Sequence, residues 1–146
     1  MDILLIEDAD NGYQALNAYE FAHTFGNYKD STKILDDVQK INLKERLKAK
    51  KIVPWTKSDI KNIEYGLINW DTITNNILTK KYLHSPNKLV ISISRPLFID
   101  ERNALVSFHS GTIETGFTTV DRFTVLVTKK ANKWVRMRYY YDGVYH

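Results

Sequence analysis

The side chains of this chain best suited to move protons near neutral pH are its histidines and the carboxylates that could orient them. The four histidines are widely separated in the sequence, at His23, His84, His109 and His146. No two of them have the spacing that places two imidazoles on one side of a helix or strand. We therefore expect no metal site and no cofactor.

His109 has the setting that best suits catalysis. It ends a predicted strand beside Ser107, and the following strand carries Asp121 and Arg122. A His109–Asp121 pair across a hairpin would orient the imidazole for proton transfer, as in a small hydrolase or isomerase with a pocket between sheet and helices. The alternative is that His109 is a polar residue on the outer face of the sheet.

Every second residue of the predicted strands is polar or basic. This period of two predicts that one sheet face carries Ser92, Ser94, Ser107, His109, Arg122, Thr124, Arg136, Arg138 and Tyr140. Such a face would be basic and rich in hydrogen-bonding groups. We therefore predict that Arg122, Arg136, Arg138 and Tyr140 bind a partner, with an ordinary solvated sheet face as the alternative.

The opposing positions of the same strands are apolar, among them Val106, Phe108, Phe123 and Val125. We expect these residues to face the helices, although a slip of one residue in register would reverse the two faces of a strand. The arginines that alternate with aromatic residues after Trp134 also suit base stacking. No nucleic-acid-binding signature accompanies them, so we do not expect a nucleic acid partner.

The charge of the chain is distributed unevenly. Residues 1–40 contain eight acidic and three basic residues, whereas residues 41–146 contain nine acidic and eighteen basic ones. This asymmetry indicates either internal pairing or an anionic partner for the basic part. The absence of cysteine excludes disulfides, thiolate metal sites and thiol nucleophiles.

The pattern before residue 88 is helical. A first helix is predicted over 12–25, and a second begins at Asp30 or Ser31, with Ile34, Leu35, Val38 and Ile41 on one side. Asn42 and Glu45 resemble a capping box that continues or restarts it through Lys50. A third helix starts at Thr56 or Ser58 and carries Ile60, Ile63 and Leu67. A short fourth helix contains Trp70, Ile73, Ile77 and Leu78.

The period changes to two at Leu89, which predicts strands over 89–94, 104–109, 119–128 and 134–141. The connections between them are short, which favours antiparallel pairing. Turns are predicted at Asp100–Asn103 and Lys129–Asn132.

Several short motifs in the second half of the chain occur together in one family. They are Ser94-x-Pro96-x-Phe98, Ala104-Leu105-Val106, the glycines Gly111 and Gly116, and Lys129-Lys130 followed by Lys133-Trp134. The stretch from Trp70 to Trp134 resembles an uncharacterised family of small bacterial proteins that are often associated with the cell envelope. The resemblance implies a similar fold and no particular activity. Some members carry cysteines in the glycine loop, which this chain lacks.

These patterns predict one α+β domain over 1–146, with a helical part over 12–84 and an antiparallel β-meander over 88–142. The expected architecture is helices packed on one face of a four-stranded meander, similar in outline to cystatin-like or nuclear-transport-factor-like domains. We expect a non-enzymatic module that binds a protein or an anionic ligand through the basic sheet face or its tyrosine-rich edge. One version is an immunity-type protein whose acidic head contacts a basic toxin.

The start of the chain bears on its compartment. The run Ile3–Ile6 is too short for a secretory signal or a membrane span, and an acidic residue flanks it on each side. We therefore expect no membrane span and a cytoplasmic location, or an envelope or periplasmic one if a signal has been removed.

Overall fold

The computed structural model describes residues 2–8, 12–25, 35–49, 52–73, 88–112 and 118–140. Its elements are, in chain order, β1 (Asp2–Ile6), α1 (Tyr13–Phe25), α2 (Asp37–Ala49), β2 (Gly66–Ile68), β3 (Lys88–Ile93), β4 (Leu97–Phe98), β5 (Asn103–Thr112), β6 (Thr118–Lys130) and β7 (Lys133–Tyr140). The predicted α+β class is confirmed.

The described strands form one open, mostly antiparallel sheet of seven strands, in the order β2-β1-β3-β5-β6-β7, with β4 paired to β5. The predicted number of four strands is therefore wrong. The sequence reading missed β1 and β2, which lie parallel to each other at one side of the sheet. Both are short apolar runs, and parallel strands buried on both faces lack the alternation by which strands are recognised.

The strands β3, β5, β6 and β7 lie where the period of two predicts strands. β5 pairs with both β3 and β6, and β6 pairs with β7, all antiparallel. The turn predicted at Lys129–Asn132 is formed by two residues, Ala131 and Asn132, whose φ angles are 50° and 62°. Two consecutive positive φ angles are the signature of the type I′ turn, which matches the twist of a hairpin.

Helix α1 agrees with the predicted segment. Its buried side chains recur at helical spacing and are Ala15, Leu16, Ala18, Tyr19 and Ala22. This apolar face packs on the sheet against Leu105, Leu126 and Tyr140, and together these residues form the largest part of the core. The edge of the Tyr140 ring meets Tyr19, with 5.6 Å between the ring centroids.

Helix α2 begins later than predicted and runs without a restart at Asn42. Its cap is reciprocal, because the Gln39 N–H donates to Asp36 Oδ1 and the Asp36 N–H donates to Gln39 Oε1. The predicted caps Asp30 and Ser31, and Ile34, lie outside the described residues. Leu43 and Leu47 form the buried face of the helix, so the prediction for Val38 and Ile41, which are 66% and 61% exposed, was wrong.

The helix predicted after Pro54 does not form. Residues 52–65 are irregular, Asn62 has a φ of 67°, and Leu67 belongs to β2. A residue with a left-handed backbone conformation interrupts a helix. The apolar residues that follow Asn62 form β2, which pairs with β1. Of the fourth predicted helix, residues 70–73 form one helical turn, while Ile77 and Leu78 lie outside the described residues.

The irregular segment covers the sheet on the side opposite to α1. Trp55 and Tyr65 pack with Leu5 in a second cluster that also takes in Ile91 and Ile93. The Trp55 indole N–H donates to the carbonyl of Ile93, at 2.8 Å. On the other face near β1 and β3, Ile73 packs with Ile6 and Val90.

Candidate binding surface

The polar residues predicted to share one sheet face largely do so. Ser107 lies opposite Thr124, and His109 lies opposite Arg122 across the β5–β6 ladder. Directly opposed residues of an antiparallel pair project from the same face. The alternation read from the sequence thus gave the correct face for these four residues.

That face, however, is the one that α1 covers. Ser94, Ser107 and Thr124 are almost fully buried, and the Arg122 guanidinium donates to the side-chain oxygen of Gln14 on α1. The expectation that the helices pack on the face of Phe108, Phe123 and the neighbouring valines is therefore wrong. Leu105 and Leu126 lie on the same face as the polar residues and supply the apolar contacts for the helix.

A narrow cleft remains between α1 and the polar face. It is lined by Gln14, Ala18, Ser107, His109, Arg122, Phe123 and Thr124. The cleft is too narrow to admit a water molecule, and none of these described residues is a carboxylate. As lined by the described residues, the cleft therefore leaves no room for the substrate of a hydrolase or isomerase.

The structure does not bring His109 and Asp121 together. Asp121 lies opposite Ser110, one position beyond the partner of His109, so the two side chains project from opposite faces. Asp121 is exposed, and its Oδ1 accepts the backbone N–H of Arg122 at 2.9 Å. His84, His146 and the side chain of His23 lie outside what the structure describes.

The predicted binding residues are divided between the two faces. A shift in the β6–β7 register between Leu126 and Val127 places Arg138 opposite Leu126 but Arg136 opposite Val127. Arg136 therefore projects from the face away from α1. Tyr140 is fully buried against α1, so it cannot touch a partner, and Arg122 is engaged by Gln14.

The face away from α1 carries an aromatic surface that we call the hairpin face, formed by Phe98, Phe108, Phe123, Trp134, Arg136 and Tyr139. Phe98 and Trp134 meet edge to face, with 5.9 Å between their centroids. Phe123 stacks on Phe108 at 5.3 Å and meets Tyr139 at 5.6 Å.

The hairpin face is accessible to solvent. Phe98 is 49% exposed, Trp134 43% and Tyr139 39%. The Arg136 guanidinium lies 5.9 Å from the centre of the Tyr139 ring and donates to the Tyr139 hydroxyl. A neighbouring cation is thus held against an exposed aromatic ring, an arrangement common in protein interfaces.

The same hairpin concentrates positive charge. Residues 129–140 contain five basic side chains, at Lys129, Lys130, Lys133, Arg136 and Arg138, and no acidic one. The first four are exposed, and none of the ion pairs found among the described residues involves them. Their charges are therefore available to an outside partner.

Sequence reasoning missed the hairpin face because it treated the apolar alternate positions as core. The sequence analysis considered Phe98 only as part of a motif, and Trp134 only as part of a motif and of a strand suited to base stacking. The signal that could have found the surface is that Trp134 and Arg136 are two residues apart on a strand and therefore share a face.

The described residues also bear on two other kinds of site. Within the described ranges, no group of three histidine or carboxylate residues is placed to hold a metal ion. Nor does any helix there combine the length and apolar character that crossing a bilayer requires. Comparison with family models, curated proteins and solved structures finds no match to this chain. The resemblance to the envelope-associated family therefore stays a prediction.

Proposed function

We propose that this protein is a non-enzymatic interaction module that binds an acidic protein partner through the hairpin face. The observation that carries the proposal is the conjunction of exposed aromatic rings with a strand that has three cations and no acid. Of these cations, Arg136 projects from the hairpin face with Trp134 and Tyr139, whereas Lys133 and Arg138 project from the other side of β7.

The two parts of this surface would contribute differently to binding. Tryptophan, tyrosine and arginine are enriched among the residues that dominate the binding energy of protein interfaces. The aromatic rings bury a large area at a small cost in conformational entropy, and the planar guanidinium can form two parallel hydrogen bonds to a carboxylate. Lysines at the rim act mainly on the rate of encounter with an oppositely charged partner. Trp134 and Arg136 would therefore anchor the partner, while Lys129, Lys130 and Lys133 would steer it.

The acidic head of the chain, residues 1–40, is less well suited than the hairpin face to contact the partner. Glu20 pairs with Lys44 at 3.0 Å, Asp36 caps α2, and Asp8 accepts the backbone N–H of Trp70 at 2.8 Å. These internal contacts support the internal-pairing reading of the charge asymmetry. An immunity-type role would thus require an acidic target on the basic hairpin rather than a basic toxin on the head.

The outline expected for the fold adds no function of its own. The cystatin-like or nuclear-transport-factor-like comparison stays a prediction, and folds of that kind serve many unrelated activities. The proposal therefore rests on the chemistry of the hairpin alone.

Binding of poly-L-glutamate, followed by fluorescence anisotropy of the labelled polymer, tests the proposal. We expect the wild-type protein to bind, and the double variant Lys133→Glu, Arg136→Glu to bind at least about tenfold more weakly, which is about 1.4 kcal/mol. The control is Lys48→Glu, Lys61→Glu, which makes the same charge change on exposed residues elsewhere. Equal loss in both double variants, or no binding by the wild type, would overturn the proposal.

A further inference from the structure

We infer that the acidic segment of the partner adds to β7 as an extended strand, an inference that rests on the function proposed above. β7 lies at the end of the strand order, so none of the described residues pairs with its second edge. It is 8 residues long, which is sufficient for a strand to align beside it.

The type I′ turn determines which backbone groups of β7 are open. In a hairpin with a two-residue loop, the residues that flank the loop form a hydrogen-bonded pair, and bonding alternates from there. Lys133 pairs with Lys130 at the turn, so Lys133 and Val135 direct their backbone groups towards β6. Trp134 and Arg136 direct theirs away from β6, to the open edge.

The charges on β7 select the occupant. Exposed edge strands are often protected by lysine and arginine, which disfavour pairing with a like-charged strand. A second copy of β7 would place its own cations beside those of the first, and its approach would be opposed. A strand that carries carboxylates would pair with Lys133 and Arg136 instead, so the edge that rejects a second copy accepts an acidic partner.

The side chains at the edge specify the added strand further. Trp134 and Arg136 project from the hairpin face, and Lys133 and Val135 from the other. Each face of β7 thus presents a cation next to an apolar side chain. An extended segment in which acidic and apolar residues are mixed would match this pattern on either face.

The probe for this inference is a capped peptide of alternating glutamate and valine, equal in length to β7. Amide hydrogen exchange, followed by NMR, should slow at Trp134 and Arg136 by at least about tenfold when the peptide is bound at saturation, because these N–H groups would enter a new ladder. The amides of Lys133 and Val135, which already face β6, are the internal control and should change little.

A second peptide with the same side chains and N-methylated backbone amides keeps the charge and cannot form the ladder. It should bind at least about tenfold more weakly than the parent peptide. If both peptides bound equally, or if the parent bound without protecting Trp134 and Arg136, strand addition would be wrong while the proposed binding surface would stand. Failure of the parent peptide to bind would instead remove the proposed function and this inference together.

Discussion

The guanidinium of Arg95 lies over the indole ring of Trp55, with its central carbon 3.8 Å from the ring centroid. The same guanidinium donates to the carbonyls of Val53 and Pro54, at 3.0 and 2.7 Å. It also meets Asp59 Oδ2 at 3.3 Å. One side chain that follows β3 thus holds the irregular segment 52–65 against the sheet.

Arg95→Ala should therefore loosen this segment. The stacked cation and the charge-assisted hydrogen bonds are together worth about 1–2 kcal/mol when the arginine is partly buried. Urea unfolding should show a loss of that size. Arg102→Ala is the matched control, since Arg102 is an exposed arginine, and it should change the free energy of unfolding by less than about 0.5 kcal/mol. Similar values for the two variants would contradict the role of Arg95.

Acid should weaken the attachment of the same segment. The pKa of Asp59 lies below its ordinary value, chiefly because the carboxylate accepts the backbone N–H of Thr56, with Arg95 adding to the effect. A carboxyl group whose pKa is lower in the folded state stabilises the fold above its unfolded pKa. That contribution is lost as the pH falls through the folded value, below the ordinary 3.8.

Asp59→Asn should thus flatten the acid side of the stability profile. Urea midpoints measured between about pH 5 and pH 2 should fall less steeply for the variant than for the wild type. Asp100, whose pKa is also lowered, chiefly by the side chain of Asn103, remains in both proteins and accounts for part of the remaining slope. Parallel profiles for the two proteins would show that Asp59 is not linked to folding.

Two buried serines should respond differently to the loss of their hydroxyls. Ser94 Oγ accepts the backbone N–H of Ser107 at 2.8 Å, whereas Ser107 Oγ is buried without a hydrogen-bond partner among the described residues. Ser94→Ala would leave the buried N–H of Ser107 without its acceptor and should lower the free energy of unfolding by about 1–3 kcal/mol. Ser107→Ala removes an unsatisfied group, so it should be neutral or stabilise the protein slightly. Thermal unfolding of the two variants makes the comparison, and the reverse order would contradict the assignment.

The turn between β6 and β7 offers a stabilising change. Ala131 and Asn132 both have positive φ, which asparagine and glycine tolerate better than alanine. The double change Ala131→Asn, Asn132→Gly should raise stability by about 0.5–1 kcal/mol without altering the register, because relief of the left-handed alanine outweighs the extra freedom that glycine gives the unfolded chain. Thermal unfolding tests this, and a destabilised variant would mean that the turn is not type I′.

The strands after residue 88 could be predicted from the sequence because polar and apolar residues alternate along them. The alternation places His109 and Arg122 on one face, but it did not predict that they lie opposite each other, since the expected partner of His109 was Asp121. The strands β1 and β2 could not be predicted in this way, because each is a short apolar run with no period of two. Leu5 and Ile6 of β1 and Ile68 of β2 are all buried. Their partners lie far along the chain, and local pattern contains no information on such pairing.

The error over the two sheet faces has a different origin. Alternation says which residues share a face, but not which face a helix covers. In this chain the helix packs on the face that mixes Leu105 and Leu126 with polar residues, and a one-residue shift at Met137 moves Arg136 to the other face. Neither the register shift between β6 and β7 nor the position of α1 can be predicted from the local sequence.

The central claim, that the hairpin face binds an acidic partner, is tested most directly by the indole N–H signals of the three tryptophans in a two-dimensional NMR titration with the glutamate–valine peptide. Trp134 lies on the hairpin face, whereas the Trp55 indole is bound to Ile93, and Trp70 follows β2 at the other side of the sheet. We predict that the Trp134 signal shifts in a saturable way while those of Trp55 and Trp70 stay in place. A Trp134 signal that does not move, or that moves no more than the other two, would contradict the account.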